Sequence, residues 1–141
     1  MLSLHDAVLS WTPPQTQRFK VRADPKLLRQ MLDNLIDNAL VHGPRGVKID
    51  LGLSERGGAA VIHVSDNGPG IVRSQRKKIF RMFYRAPGHR KHRKGTGLGL
   101  FIVASIAKAH SGRAWVDSDG AGKGSTFHVA IPFAKEERNP S

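Results

Sequence analysis

Cysteine is absent from the 141-residue chain. Disulfides and thiolate metal centres are therefore excluded, and a reducing compartment is allowed. Long apolar runs are also missing. The longest, around residues 98–107, falls well short of the roughly 20 residues that span a bilayer. The opening stretch MLSLHDAVLSW lacks the basic start and cleavage pattern of a secretory leader, so the sequence reads as that of a soluble chain. The third deficit is local: between Asp66 and Asp117 there is no Asp or Glu. That window holds twelve Lys and Arg, while the other eleven basic residues balance the eleven acidic ones, so the net charge of +12 is concentrated in one region. Charge gathered in this way points to an anionic partner more strongly than charge spread over a surface.

Hydrophobic residues make up 39% of the chain, enough for a true core, and the length suits a single domain. Residues 17–23, QRFKVRA, have short strand character. ADPKLLRQMLDNLIDNALVHGP reads as a helix, with Asp24 as N-cap, Pro25 at the first position and Gly43-Pro44 as its end. Leu28, Met31, Leu32, Leu35, Ala39 and Leu40 recur on one face and should meet the core. GVKIDLGL and AAVIHVS are strands joined by a turn at Gly57-Gly58. RSQRKKIFRMFYR forms one short basic helix or two, and residues 85–94 form a loop too charged to pack. A second helix runs from residue 97 or 98 to about 110, followed by strands in GRAWVDS and GSTFHVAIPF. Adjacent strands with short turns imply hairpins. The fold class expected is therefore an α/β two-layer sandwich, a mixed and mostly antiparallel sheet with helices on one face.

Three segments hold candidate chemistry. Gln30, Asn34, Asn38 and His42 lie four apart and form one stripe on the first helix. Asparagine is a poor helix former, so two of them here suggest amide oxygens facing a ligand or a hard cation; a solvated face is the plainer alternative. In SDNGPG, Asp66 ends an apolar strand, where a partly buried carboxylate needs hydrogen-bond donors. An exocyclic amine of a purine would supply one, with Gly68 and Gly70 allowing close approach of a flat ligand. A tight turn explains the same residues equally well. In GTGLGL, Gly95, Gly97 and Gly99 lead into a helix whose free N–H groups suit an anion, most naturally phosphate. The G-x-G-x-G spacing, without a preceding strand or a downstream acidic residue, argues against a Rossmann site.

Taken together and in chain order, DNLIDNALVHG, DNGPGI, KIFRMFYR, GTGLGLFIVASIAKAHSG and GKGSTF closely resemble the catalytic ATP-binding domain of sensor histidine kinases. That group lies within a wider one containing type II topoisomerase and chaperone ATPases. The resemblance runs from about residue 4 to 133 and implies the Bergerat α/β sandwich. It implies a catalytic domain over 1–133, with a connector-like start at 1–16, an ATP lid at 84–95 and a polar tail at 134–141.

The resemblance also assigns roles. Asn38 would bind Mg²⁺ through its side-chain oxygen, and Asn34 would meet the phosphate–metal region one turn earlier. Asp66 would accept from the adenine amine and so select ATP over GTP, with Gly68, Gly70 and Ile71 shaping that wall. Phe80 and Phe83 would anchor the base of the lid. Lys94, Gly95, Thr96, Gly97, Leu98, Gly99 and Leu100 would meet the phosphates, and Thr126 would line the adenine end. The basic stretch before the glycines is then a lid that closes over a polyanion. In hydrolysing relatives a glutamate commonly precedes the metal asparagine by one turn. Asn34 stands there instead and cannot act as a general base, which favours transfer to a histidine over transfer to water.

There are departures from the family pattern. Val41 replaces a common lysine, leaving phosphate neutralisation to Arg85 or the lid cations. His42 occupies an often aromatic position and could meet either phosphates or nucleoside. No phospho-acceptor box is present, since His5 in LHDAV lacks the following basic residue and proline. The implied partner is thus a dimerisation/phosphoacceptor histidine domain in cis or trans, with a response regulator beyond it. The implied location is the cytoplasm, as a separate subunit or as the inner part of a membrane sensor. An anti-sigma-type serine kinase of the same group is the first alternative. A nucleic-acid-binding basic module is the more remote one, with no recognition helix or aromatic-rich basic strand to support it.

Overall fold

The computed structural model describes residues 6–13, 20–84 and 98–135. Among these, five strands and two α-helices are arranged as β1 (Val8–Thr12), α1 (Pro25–His42), β2 (Lys48–Arg56), β3 (Ala59–Asp66), α2 (Gly99–Ala109), β4 (Arg113–Asp117) and β5 (Ser125–Pro132). The strands form one sheet in the order β1-β2-β3-β5-β4. β1 runs parallel to β2, and every other neighbour is antiparallel. The mixed, mostly antiparallel sheet expected from the sequence is the one observed.

Alternation along the strands decides which face is covered. Ser125, Phe127, Val129 and Ile131 of β5 are buried, whereas Thr126, His128 and Ala130 between them are only half-buried. The buried face meets two helices. From α1 come Met31, Leu35 and Ala39, and from α2 come Val103, Ile106 and Ala107; all pack with Ile49, Val64, Val116, Phe127, Val129 and Ile131. Leu28, Leu32 and Leu40 lean on the same cluster from the margins, so the helical face read from spacing is the core face. Truncating a fully buried member such as Leu35 to alanine should cost about 2–5 kcal/mol.

The ends of α1 follow the sequence signals. The Asp24 carboxylate accepts from Lys26 N at 2.9 Å, and Gly43 N donates to Ala39 O at 2.8 Å. Gly43 is extended (φ −78°). Glycine is required there for space, because a Cβ would stand 2.5 Å from Ala39 O. Asp24 N also donates to His110 Nε2 at 3.1 Å, while His110 Nδ1 lies 2.7 Å from Ile106 O. His110 thus carries its proton on Nδ1 and ties the start of α1 to the end of α2.

Two expectations need amending. The first strand lies at Val8–Thr12, not at 17–23. Within that second stretch residues 17–19 lie outside the described residues, and Val21 makes a single bridge to Phe133. The basic segment after β3 forms two short 3-10 turns, Arg73–Gln75 and Lys78–Phe80. Their inner side chains Ile79 and Phe80 pack on the core, with Phe80 edge-on to Phe127 at 6.1 Å between ring centres. No described helix is long and apolar enough to cross a membrane.

Candidate functional site

β3 and β5 run side by side to the end of the sheet, where Asp66 pairs in register with Ser125 and Ser65 with Thr126. Asp66 Oδ1 accepts from Gly68 N at 2.8 Å and Oδ2 accepts from Ser125 Oγ at 2.9 Å. The donors needed by the half-buried carboxylate are thus supplied by the chain itself. A carboxylate offers about four lone-pair positions, so accepting capacity is left for a ligand. Thr126 Oγ1 shares a hydrogen bond with Ser65 Oγ at 2.9 Å on the opposite sheet face.

The loop after Asp66 lies against the turn between β4 and β5. Gly122 N donates to Pro69 O at 2.6 Å and Gly124 N to Gly68 O at 3.1 Å. The approach is of backbone to backbone. A Cβ on Gly70 (φ +74°) would sit 2.1 Å from Gly120 O, and one on Gly124 (φ +72°) would sit 2.3 Å from Asp66 O. The glycines therefore shape this wall, which a tight turn alone does not require. On the outer side Asn67 Oδ1 accepts from Lys48 N at 2.8 Å and fixes the loop to the start of β2. Ile71 is half-buried and packs against the core cluster.

The polar stripe lies on α1, whose C-cap comes close to the loop: a Cβ on Gly68 would stand 3.5 Å from Gly43 Cα. Gln30 is exposed, whereas Asn34, Asn38 and His42 are half-buried. The stripe therefore turns inward along its length and is not a plain solvated face. The Asn34 side chain faces the first turn of α2, its Oδ1 lying 3.9 Å from where a Cβ on Gly99 would be. Asn34 Nδ2 is buried with no hydrogen-bond partner among the described residues. α2 begins after Leu98 without a side-chain cap, and Leu98, Gly99 and Leu100 are half-buried. A buried amide donor thus sits beside the positive end of a helix, where an anion is favoured. Among the described residues no group of three or more His, Cys, Asp or Glu could hold a metal ion. Asn38, one turn after Asn34, is half-buried.

Phe80 packs on the core cluster, whereas Phe83 is 64% exposed, at φ +60°. Arg85, Lys94, Gly95, Thr96 and Gly97 lie outside the described residues, as does all of the 84–95 segment except Tyr84. Three contributors escaped sequence reasoning: Ser125, Ser118 and Arg76. Ser125 precedes Thr126 in the GSTF stretch and could have been found by strand register; Ser118 and Arg76 carry no local signal.

An open mixed sheet with two helices packed on one face is the architecture of an ATPase domain of the histidine-kinase type. Residues 23–135 match the family described as histidine kinase-, DNA gyrase B-, and HSP90-like ATPase, and the chain belongs to that family. It is 48% identical over 114 residues to the sensor protein IrlS of Burkholderia pseudomallei, covering 80% of this chain and 24% of IrlS. It superposes on the mycobacterial sensor histidine kinase MprB with a TM-score of 0.77 at 29% identity, covering 91% of this chain and 83% of that one. Full-length ShkA in complex with AMPPNP gives a TM-score of 0.79 at 29% identity, over 95% of this chain and 27% of ShkA. The chain therefore spans about a quarter of the length of IrlS.

Proposed function

We propose that this chain binds ATP with Mg²⁺ and presents the γ-phosphoryl group to a histidine on a dimerisation/phosphoacceptor domain, in cis or in trans. A response regulator would act downstream, in the cytoplasm. The observation that carries this reading is a pair of polar groups, Asp66 and Asn34, each with hydrogen-bonding capacity to spare. Asp66 is held by Gly68 and Ser125 and can still accept. The buried Asn34 amide nitrogen has no partner among the described residues. An adenine amine suits the first and phosphate oxygens the second. The sensor kinases among its relatives support the same reading.

Mg²⁺, when bound, would neutralise charge developing on the phosphates. The residues of this chain would orient the nucleotide. Asn38 would hold the cation through its amide oxygen, and Asn34, one turn earlier, would donate to the phosphate region. Neither amide can take a proton from water, so water would be a poor acceptor and a docked histidine the preferred one. Phosphoryl transfer depends chiefly on placing an in-line nucleophile. No histidine in this sequence lies in an acceptor motif.

The test is transfer of radiolabelled γ-phosphate. The chain alone should bind ATP and remain unlabelled. Adding a cognate histidine-bearing helical domain should place acid-labile, base-stable phosphate on that domain, and Asn38→Ala should abolish the label. Rapid labelling of the isolated chain would overturn this reading.

A further inference from the structure

Ser118 follows directly on β4 and is 9% exposed, one of the few buried polar side chains. Its hydroxyl accepts from Ile71 N at 3.0 Å and from Gly120 N at 3.2 Å, and it donates to Gly124 O at 2.6 Å. A serine hydroxyl has one proton and two lone pairs. All three are used, and Gly120 O at 3.3 Å loses the single proton to the nearer carbonyl. The backbone of the same residue is engaged as well, since Ser118 O accepts from Arg76 Nη2. One residue therefore joins three segments: the loop after Asp66, the turn between β4 and β5, and the basic segment carrying the two 3-10 turns.

Position matters because of where the donors to Asp66 come from. Oδ1 is held by Gly68 N, on the loop whose far end, Ile71, Ser118 grips. Oδ2 is held by Ser125 Oγ, which follows directly on Gly124, whose carbonyl Ser118 also grips. The orientation of the carboxylate is thus set by the spacing of two backbone segments, and Ser118 sets that spacing from behind. The contact leaves no slack, because the Gly70 and Gly124 positions have no room for even a methyl group.

We infer that Ser118, braced by Arg76, is a positioning residue for purine selection: it clamps the two segments that aim the Asp66 carboxylate. This rests on the proposed role of Asp66 in reading the base. Removing the hydroxyl would leave two partly buried N–H groups and one buried carbonyl unpaired, let the loop separate from the turn, and loosen the aim of Asp66. ATP, whose amine needs that aim, should suffer; GTP, which offers a carbonyl at that position, has little to lose there.

The experiment is calorimetric titration of the full chain with Mg-ATP and with Mg-GTP, for wild type, Ser118→Ala, Ser118→Thr and Arg76→Lys. Ser118→Ala should weaken ATP about tenfold and change GTP less than about threefold, collapsing the ATP-to-GTP ratio. Ser118→Thr keeps the hydroxyl and should retain most of the ratio, a rescue that a packing role would not produce. Arg76→Lys should give a smaller loss in the same direction, and it carries the test should Ser118→Ala fail to fold. Parallel weakening of ATP and GTP in the folded variants, or an unchanged ratio, would overturn the inference. A wild-type chain that shows no preference for ATP would instead overturn the role of Asp66.

Discussion

At Asp66 both carboxylate oxygens accept hydrogen bonds from the chain, and the surrounding loops are zipped together by backbone N–H groups and by Ser118. At Asn34 a buried amide nitrogen has no partner among the described residues, and α2 starts without a side-chain cap. The first region is finished before any ligand arrives. The second keeps one buried donor, Asn34 Nδ2, unpartnered among the described residues, an arrangement that costs stability until an acceptor fills it. The difference suggests a division of labour, with the rigid region discriminating the base and the unsatisfied one responding to phosphate. A preorganised recognition surface loses little conformational freedom on binding. A donor-rich one gains most from a charged acceptor.

The comparison breaks most readily at Asp66. Asp66→Asn keeps the shape but turns one acceptor into a donor, set against the Ser125 hydroxyl and a purine amine. ATP and adenosine should both weaken by about 100-fold, the scale of a lost hydrogen bond to a charged group. Titration with each ligand checks this, and unchanged affinity would remove Asp66 from base recognition. Replacing Arg90, Lys91, Arg93 and Lys94 together with glutamine should weaken ATP by about tenfold at low salt and leave adenosine unaltered. The loss should shrink as salt rises, because exposed charges are screened over about 8 Å at physiological ionic strength. Equal losses for both ligands would show that these residues act through folding.

The smallest effect is expected on the uncovered sheet face, away from both regions. His63 Nδ1 faces His128 Nδ1 at 2.7 Å, Ser54 Oγ lies 2.6 Å from His63 Nε2, and His128 Nε2 stands 3.0 Å from Asp117 Oδ2. Trp115 stacks on the His128 ring, with Arg113 over the indole. Only one proton fits between the two Nδ1 atoms. Burial, and then the neighbouring His128, lowers the His63 pKa from its ordinary 6.5. Burial also lowers that of His128; the Asp117 charge and hydrogen bond oppose this, and Arg56 adds to it. Groups with lowered folded-state values bind fewer protons folded than unfolded. Stability should therefore be full above pH 6.5 and decline as pH falls below it. Denaturant unfolding across pH 5 to 8 reads this slope, and His63→Gln should flatten it.

Local sequence carried α1 almost whole. Asp24, Pro25 and Gly43 bound it, and the spacing of Met31, Leu35 and Ala39 orients it, because capping and helical periodicity are properties of neighbouring residues. The alternation in β5 and the acid-free window were legible for the same reason. The glycine-rich motifs identified the family, and the matched relatives bear that out. β1 was not legible. Val8–Thr12 is exposed throughout and becomes a strand by pairing in parallel with β2, some forty residues away. Nor was the mutual dependence of Asp66, Ser125 and Ser118. Each is an ordinary polar residue in its own stretch, and their hydrogen bonds exist only because β3, β4 and β5 end side by side. Local propensity and composition set which residues form helix, strand or turn and where the charge lies. That a serine after β4 stands behind a carboxylate at the end of β3 came from the packing of distant strands, because hydrogen-bond geometry depends on distances that chain order does not encode.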